Sequence, residues 1–440
     1  MTAVSASLRF AARLLALLCA ALVATEVSTG PAGTRVAAGN WPQWRGPDRD
    51  GVSKETGLLT SWPEGGPKKL YTTAGMGRAF STVSVAGGKV FTMGDRGSGQ
   101  FVIALDEETG QELWATRIGS SYSSPDDFNG PRGTPTIDGA LLYAIGTDGQ
   151  LVCLETATGR ERWRKVLSRD FGGRMMSGWE WSESPLVDGD RVVVTPGGAK
   201  AGIVALDKTT GREIWRAAIP RFGSQGADGA GYSSIVISNG GGVKQYVQMM
   251  GRGLVGVRAS DGWFLWGNNA VANNIANITT PVVRDNFVFG TSSYDTGSAL
   301  IELAPAPDNR VTATQKYFLD NFENHHGGVV LVGDYLYGGH GRSQGFPVCI
   351  ELSTGKSMWP QQRGVGAGSA AVVAADGHLY FRYQDGVVAL VEATPAAFRV
   401  KGSFRIPNPF RLSWPHPVVT GGRLYLREQD ALHVYDVASR

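Results

Sequence analysis

Three tryptophans lie in loop-like stretches between the regular strand patterns of the chain. Trp179 and Trp181 belong to SRDFGGRMMSGWEWSESP, and Trp414 belongs to PNPFRLSWPHP. Aromatic rings of this kind could simply pack beneath long loops. They could also form a stacking platform for a flat or sugar-like ligand, because aromatic faces present large and rigid apolar surfaces.

Three histidines lie in similar stretches. His325 and His326 are adjacent in LDNFENHHGG, and His416 follows Trp414 by two residues. They could bind a metal, act as bases or cap loops. Neighbouring side chains of an extended chain point in opposite directions, so the pair alone is not expected to chelate one ion. We assign no metal site to them.

Three polar residues complete the candidate set. Arg132 could hold an anion or a ligand carbonyl, or it could bond to loop carbonyls. Glu183 and Asn277 each precede a predicted strand, where they could share a hard cation such as calcium or stabilise loops. The candidate ligand-binding residues are therefore Arg132, Trp179, Trp181, Glu183, Asn277, His325, His326, Trp414 and His416. The sequence contains no nucleophile elbow or phosphate loop, and no catalytic residue is assigned.

A repeated motif indicates which elements must position these residues. A turn followed by tryptophan recurs as ALDEETGQELW, CLETATGRERW, ALDKTTGREIW, GVRASDGWFLW and CIELSTGKSMW, with glycine four residues before tryptophan. We place the anchor residues at 71, 114, 163, 215, 266, 318, 359 and 404. Their spacing is typical of one propeller blade, and each anchor is expected to wedge between neighbouring sheets.

Eight hairpins accompany the turn motifs, such as VSVAGGKVFTMG and PLVDGDRVVVTPG. Each unit then has four strands: the hairpin strands A and B, strand C before the turn, and strand D with the anchor. The last hairpin lacks a strand D, and the strand KKLYTT near the N-terminus lacks a hairpin. The pattern predicts an all-β, eight-bladed propeller with four antiparallel strands per blade, closed by the N-terminal strand in the last blade.

The connections from strand D to the next strand A are long and rich in polar and aromatic residues, whereas the C–D turns are short. In a propeller the D–A connections line one mouth of the central channel. We therefore expect the candidate residues to meet at the D–A face.

Composition and targeting signals fit an exported globular protein. The chain has 440 residues, 61 of them glycine, and a net charge of +3 without a basic cluster, so nucleic acid is not an expected partner. Arg9, Arg13 and the apolar run 14–23 predict a signal peptide, with cleavage near residue 24 or 38. Residues 1–38 are assigned to this leader and a linker, and 39–440 to one propeller. We expect a periplasmic or extracellular monomer without a lipid anchor or transmembrane segment.

Two cysteines remain after the leader, Cys153 and Cys349. They occupy corresponding positions on strand C of blades 2 and 6, which are diametrically opposed in a ring of eight. A disulfide requires Cα atoms within about 7 Å, so we predict two free, buried thiols.

The D-x-x-T-G turn followed by tryptophan resembles the pyrroloquinoline-quinone-like (PQQ-like) propeller repeat. This family includes quinoprotein alcohol dehydrogenases and the propeller of outer-membrane barrel assembly. The segment NWPQWRGPDRDGVS is similar to the start of secreted bacterial propellers of the same family. The resemblance covers about residues 40–440 and implies the fold more strongly than an activity.

The resemblance also implies what a catalytic member would need. Such enzymes hold the quinone between a tryptophan and a disulfide of adjacent cysteines, beside calcium held by Glu and Asn, with an Asp base. Trp181, Glu183 and Asn277 are the nearest candidates here, but the chain has no adjacent cysteines. PQQ with calcium is therefore not assigned as a cofactor.

Two functions remain open from the sequence. The first is an exported scaffold that binds a protein, glycan or small molecule through its D–A face. The second is a divergent PQQ-dependent oxidoreductase of alcohols or polyols. A third, a carbohydrate-active enzyme, would need paired carboxylates flanking a groove, and the sequence does not pair Glu180, Glu183 and Glu323. We favour the scaffold, because no complete catalytic set is present. Reconstitution with quinone and calcium would distinguish the two.

Overall fold

Alternating apolar residues and glycine-containing turns fold the chain into eight β-sheets. The computed structural model describes residues 39–124 and 126–439. The N-terminal part contributes β1 (Val52–Ser53) and β2 (Lys68–Thr73). Blades 1 and 2 consist of β3 (Ser84–Ala86), β4 (Lys89–Arg96), β5 (Gly99–Asp106), β6 (Glu112–Ser120), β7 (Thr136–Asp138), β8 (Leu141–Ile145), β9 (Gln150–Glu155) and β10 (Glu161–Val166).

Blades 3 to 5 repeat this plan. They consist of β11 (Leu186–Asp188), β12 (Arg191–Val194), β13 (Ile203–Asp207), β14 (Glu213–Ala217), β15 (Val236–Ser238), β16 (Gln245–Met250), β17 (Gly253–Arg258), β18 (Phe264–Asn268), β19 (Val282–Arg284), β20 (Phe287–Ser292), β21 (Gly297–Ala306) and β22 (Arg310–Leu319). A short helix, α1 (Leu167–Phe171), follows β10, and a 3-10 turn (Gly240–Gly242) follows β15.

Blades 6 to 8 complete the ring. They consist of β23 (Val329–Val332), β24 (Tyr335–His340), β25 (Phe346–Glu351), β26 (Ala370–Ala375), β27 (His378–Tyr383), β28 (Val387–Glu392), β29 (Val400–Arg405), β30 (Val418–Thr420), β31 (Arg423–Glu428) and β32 (Ala431–Asp436). Within the described chain, blade 6 has three strands. The residues after its turn make a single bridge, Ile350 to Ser357, in place of a fourth strand.

The N-terminal strand closes the last blade, as predicted. Strand β2 pairs antiparallel with β32, with Lys68 opposite Asp436 and Thr72 opposite His433. Blade 8 therefore combines one strand from the start of the chain with three from its end. This pairing removes the two free edges that an open ring would expose.

The anchor residues with polar atoms bond to the next blade, except Trp266, which donates to Gln245 of its own blade. The Trp114 indole donates a hydrogen bond to the Thr156 carbonyl of blade 2 at 3.2 Å, and Trp163 donates to Lys208 of blade 3 at 3.0 Å. Tyr71 uses its hydroxyl in the same way, donating to the Glu107 carbonyl at 2.9 Å. The anchors thus satisfy their own polar atoms while they pack between sheets.

One predicted anchor is wrong by a single residue. Tyr317, not Phe318, donates to the Leu352 carbonyl of blade 6 at 2.7 Å, and Phe318 is 41% exposed. The two rings are adjacent on β22 and point to opposite faces, so the sequence spacing alone does not separate them.

The predicted thiols are confirmed. Cys153 and Cys349 are both buried and free, on β9 of blade 2 and β25 of blade 6. Cys153 pairs with Trp163, just as Ala104 pairs with Trp114. Desolvation raises the pKa of each thiol to about 12, so neither is an activated nucleophile.

Residues 40–53 form a segment that crosses the central channel. This channel segment makes contacts with the inner side of seven blades: Asn40 with Thr420, Trp41 with Val85, Pro42 with Ile137, Trp44 with Thr280, Arg45 with Val329, Arg49 with Ser184 and Val52 with Ala374. Because these partners come from seven blades, the segment lies across the inner side of the ring and forms a floor there.

The predicted leader, residues 1–38, lies outside the described residues. In the part that is described, we find no helix long and apolar enough to cross a membrane.

Candidate functional site

A cup of about 380 Å³ opens at the D–A face and ends at the channel segment. Its walls come from D–A connections and from B–C turns of several blades, as expected for this face. Seven aromatic side chains line it: Trp44, Phe80, Phe128, Trp179, Tyr232, Tyr294 and Trp414. A concave, largely apolar cavity of this size is the usual form of a ligand pocket, for which about 300–1,000 Å³ is typical.

Trp414 is the centre of an aromatic cluster on one wall. Its ring lies 4.1 Å from the His326 ring and 5.4 Å from the Phe128 ring, which is stacked on it. The indole nitrogen donates to Gln384 Oε1 at 2.8 Å. These contacts fix the indole plane, so the wall offers a rigid aromatic surface to the cup.

The three histidines of the cup are held in the uncharged form. Burial lowers the pKa of His325 to about 4 and that of His416 to about 3, and it lowers the pKa of His326 well below 6.5. His416 Nε2 donates to the His326 carbonyl at 2.9 Å, and His325 exchanges hydrogen bonds with Tyr294 and Ser369. They serve as neutral hydrogen-bonding groups at physiological pH.

Arg132 bonds to loop carbonyls, which is one of the two alternatives that the sequence left open, and it also lines the cup. Its guanidinium donates to the carbonyls of Trp179 at 2.9 Å and Phe128 at 2.6 Å. The Tyr122 ring lies 5.0 Å from the guanidinium carbon. Arg132 therefore positions two aromatic walls while keeping a cation beside the cavity.

The cup is electropositive. Arg45, Arg132, Arg342 and Arg411 line it, and no Asp or Glu of the described chain does. Arg342 and Arg411 lie 3.6 Å from Asp295 and 3.9 Å from Asp127, respectively. Neither Arg45 nor Arg132 has an ion-pair partner among the described residues. The cavity therefore favours anionic groups over cations.

Six of the nine candidate residues line the cup: Arg132, Trp179, His325, His326, Trp414 and His416. Trp181, Glu183 and Asn277 do not, which corrects their predicted placement. Their neighbours Ser182, Ser184, Ala276 and Ile278 line it instead. Adjacent side chains of an extended segment face opposite ways, so the three residues point into the blades.

The side chains of Trp181 and Glu183 are used for packing and for hydrogen bonds between blades. Trp181 is 7% exposed and packs against Gly149. A Cβ added to Gly149 would lie 3.1 Å from the Trp181 ring. Glu183 accepts hydrogen bonds from Thr195 of blade 3 and from Gln248 of blade 4. Burial raises the pKa of Glu183 to about 7. Its carboxylate thus ties two neighbouring blades together.

The oxygen atoms needed for a shared calcium ion are already used. Asn277 Oδ1 accepts from the Asn273 amide at 3.0 Å, and its Nδ2 donates to the carbonyls of Met250 and Gly251. The described chain offers no group of three or more His, Cys, Asp or Glu that could hold a metal. With Cys153 and Cys349 in separate blades, the residues present do not fit a quinone with calcium.

Sequence reasoning missed the floor of the cup. Trp44 and Arg45 belong to the channel segment and line the cavity. Trp44 Nε1 donates to Thr280 at 3.0 Å, and the Trp44 ring lies 4.5 Å from the ring of His416. The signal available was a tryptophan- and arginine-rich stretch that belongs to no blade.

Blade number, repeat motif and closure define a propeller of the PQQ-like repeat class. Residues 98–361 match the family model described as outer membrane protein assembly factor BamB. The chain belongs to this family.

Curated relatives match over a shorter stretch. An outer membrane protein assembly factor BamB of Burkholderia pseudomallei is 31% identical over 153 residues, 34% of each chain. A BamB of Kangiella koreensis is 26% identical over 206 residues, 43% of each chain. The chain spans about a third to two fifths of the length of these relatives, so the match does not extend to the role of the whole proteins.

Solved structures show the same fold. BamB from Moraxella catarrhalis superposes with a TM-score of 0.57 at 14% identity, covering 84% of this chain and 99% of that one. Quinohemoprotein alcohol dehydrogenase from Comamonas testosteroni gives a TM-score of 0.61 at 12% identity, covering 91% and 81%. At such identities the likeness concerns the fold and not the activity.

Proposed function

We propose that the protein is a binding scaffold that receives part of a partner protein in the cup at its D–A face. The observation that carries this proposal is the cup itself: a cavity of about 380 Å³ with Trp44 and Arg45 of the channel segment at its floor, aromatic walls and four arginines. Tryptophan, tyrosine and arginine are the residues that most often dominate binding energy at protein interfaces.

The state of the polar groups supports binding over catalysis. The histidines of the cup are buried and uncharged, the thiols are buried elsewhere, and no carboxylate of the described chain lines the cavity. Among the described residues, the one histidine of the cup that contacts hydroxyl groups is His325, and of its partners Tyr294 and Ser369 only Tyr294 lines the cavity. The family match to an assembly factor agrees with a protein partner.

We place this activity outside the cytoplasm. The basic residues Arg9 and Arg13 followed by the apolar run 14–23 support export through a signal peptide. N-terminal sequencing of the mature protein tests this part independently. A mature chain that retains residues 1–24 would contradict it.

Site-specific photo-crosslinking tests the scaffold. Ser343 and Ser353 are both exposed serines of blade 6. Ser343 lines the cup, whereas Ser353 lies in the C–D turn at the opposite face. Each is replaced in turn by p-benzoylphenylalanine in cells that make the protein. We expect a discrete cross-linked protein through position 343 and none through position 353.

Two outcomes would contradict the proposal. One is cross-linking of the same partners from both positions, which would show that the cup is not the contact. The other is alcohol-dependent dye reduction after reconstitution with PQQ and calcium, which would show an enzyme.

A further inference from the structure

A second cavity lies directly beside the cup, on the same face of the ring, and has a volume of about 410 Å³. Its lining residues come from the D–A connections that follow blades 1, 2 and 4: Tyr122, Ser124, Asp126, Ser177, Gly178, Trp179, Asn274 and Ile275. We call this cavity the rim groove. Trp179 lines both the cup and the rim groove, so the two cavities adjoin at this residue.

The connection after blade 4 forms a second part of the boundary between the two cavities. Asn274 and Ile275 line the rim groove, whereas Ala276 and Ile278, which follow them, line the cup. The Ser177 hydroxyl donates to the Ile275 carbonyl at 2.6 Å and so ties the connections after blades 2 and 4 together. A chain that leaves the cup across this boundary therefore enters the rim groove.

The rim groove presents apolar surface to solvent. Ile275 is 42% exposed, whereas Val271 and Ala276 of the same connection are buried. Trp179 is half-buried, and its ring centroid lies 5.9 Å from that of Tyr232 in an edge-on arrangement. An apolar side chain of a partner would remove both Ile275 and Trp179 from water, which favours binding.

The cup and the rim groove differ in charge. Four arginines and no carboxylate of the described chain line the cup, whereas Asp126 is the one charged residue among the described residues that line the rim groove. The side chains of Arg342 and Arg411 are 50% and 58% exposed. Asp127 lies 3.9 Å from Arg411 but only 2.8 Å from Arg78. An acidic residue at the cup and a basic residue at the rim groove would match these charges.

From these observations we propose that the partner contributes one continuous segment, which runs from the cup over Trp179 into the rim groove. The segment places an acidic side chain among the arginines of the cup, an apolar side chain on Trp179 and Ile275, and a basic side chain beside Asp126. This inference rests on the scaffold function proposed above, and it names the course and the chemistry of the bound segment.

Site-specific photo-crosslinking at Ile275 tests this course. Leu113 is the matched control, because it is an aliphatic residue of similar exposure, 48%, on strand D of blade 1. Each residue is replaced in turn by p-benzoylphenylalanine, alongside Ser343, in cells that make the protein. We expect positions 275 and 343 to link to the same protein, and position 113 to link to none. Mass spectrometry should map both links to one stretch of about 15 residues, since an extended chain advances about 3.3 Å per residue.

Binding of that stretch as a synthetic peptide then tests the chemistry. We expect Ile275→Asp to weaken binding by about tenfold and Leu113→Asp to leave it unchanged. Asp126→Asn should weaken binding by about threefold. Asp190→Asn, which neutralises a 74% exposed carboxylate in the A–B turn of blade 3, should have no effect. Thermal melting of the four variants checks that they are folded.

Each outcome has a distinct meaning. A link through position 343 without one through position 275 would overturn the inference and leave the scaffold function standing. Links from the two positions to remote parts of the partner sequence would also overturn it, as would equal effects of Ile275→Asp and Leu113→Asp. Unchanged binding by Asp126→Asn would overturn the basic side chain beside this carboxylate. The absence of any link through position 343 would refute the scaffold function itself.

Discussion

Gly159 of blade 2 lies against the indole of Trp114 in blade 1. A Cβ on Gly159 would lie 2.5 Å from Trp114 Cε3, and its φ of +71° is itself unfavourable for other residues. Gly211 stands in the same relationship to Trp163, at 2.8 Å. The glycine and the tryptophan of the repeat are therefore partners across the boundary between blades, and not only within one turn.

We expect Gly159→Ala to lower the free energy of unfolding by about 2–4 kcal/mol, because it adds a steric clash to an unfavourable backbone angle. Gly139→Ala is the matched control: its φ is +58°, but no atom lies within 4 Å of the added Cβ. It should cost about 1 kcal/mol. Urea denaturation measures both, and equal losses would show that the tryptophan contact contributes nothing.

The Arg49 side chain links the channel segment to blade 3. It is 3% exposed and donates to the carbonyls of Ser184 at 2.7 Å and Pro185 at 3.0 Å. We expect Arg49→Met to destabilise the fold by about 2–4 kcal/mol, since buried acceptors lose their donor. Arg169→Met, at a side chain that is 71% exposed, should change stability little. Equal unfolding midpoints for Arg49→Met and Arg169→Met would contradict this expectation.

Buried uncharged histidines should make the protein sensitive to acid. The pKa of His416 is lowered to about 3, so below pH 6.5 the unfolded chain binds a proton that the folded chain does not. Its contribution to stability is complete above pH 6.5 and is lost as the pH falls toward the folded value. The free energy of unfolding should therefore decline as the pH falls from 6.5 to 4. His416→Asn should make this decline shallower by up to about 1.4 kcal/mol per pH unit.

Unfolding midpoints of wild type and His416→Asn, measured from pH 4 to 8, check this expectation. Their difference should be constant between pH 7 and 8 and shrink on acidification. A difference that is constant over the whole range would mean that His416 titrates normally in the fold.

The two thiols give a chemical test of the blade register. Alkylation of the mature protein under denaturing, non-reducing conditions should label two cysteines per chain, Cys153 and Cys349. Labelling of the folded protein should be very slow, because both groups are buried with a pKa raised to about 12. A mass lower by two hydrogens without labelling would reveal a disulfide and contradict the placement of the two blades.

The repeat made the fold predictable because its signals are local. Each hairpin and each glycine–tryptophan pair lies within one blade length, and the unpaired strand 68–73 indicated the closure. Phe318 and Tyr317 were confused because adjacent residues of a strand differ only in the face they occupy, and the motif there lacks tryptophan.

The position of the cup was predicted in part, because the length and composition of the loops are also local signals. The D–A face and six lining residues follow from loop length and composition. Trp181, Glu183 and Asn277 were misplaced because their orientation depends on a one-residue register in irregular chain. The channel segment was missed because its partners are remote in sequence: Arg45 bonds to Val329, 284 residues away.

The closure also governs the order of folding. Thr72 meets His433 across 361 residues, so the first strand of the ring must wait for the last one before blade 8 exists. Contacts of such sequence separation carry a large loop-closure entropy and slow the folding of β-proteins. During synthesis or transport, a chain whose end has not yet emerged has seven partly formed blades and an unfinished eighth. The ring can therefore be completed only after residues 431–436 are available to pair with the first strand.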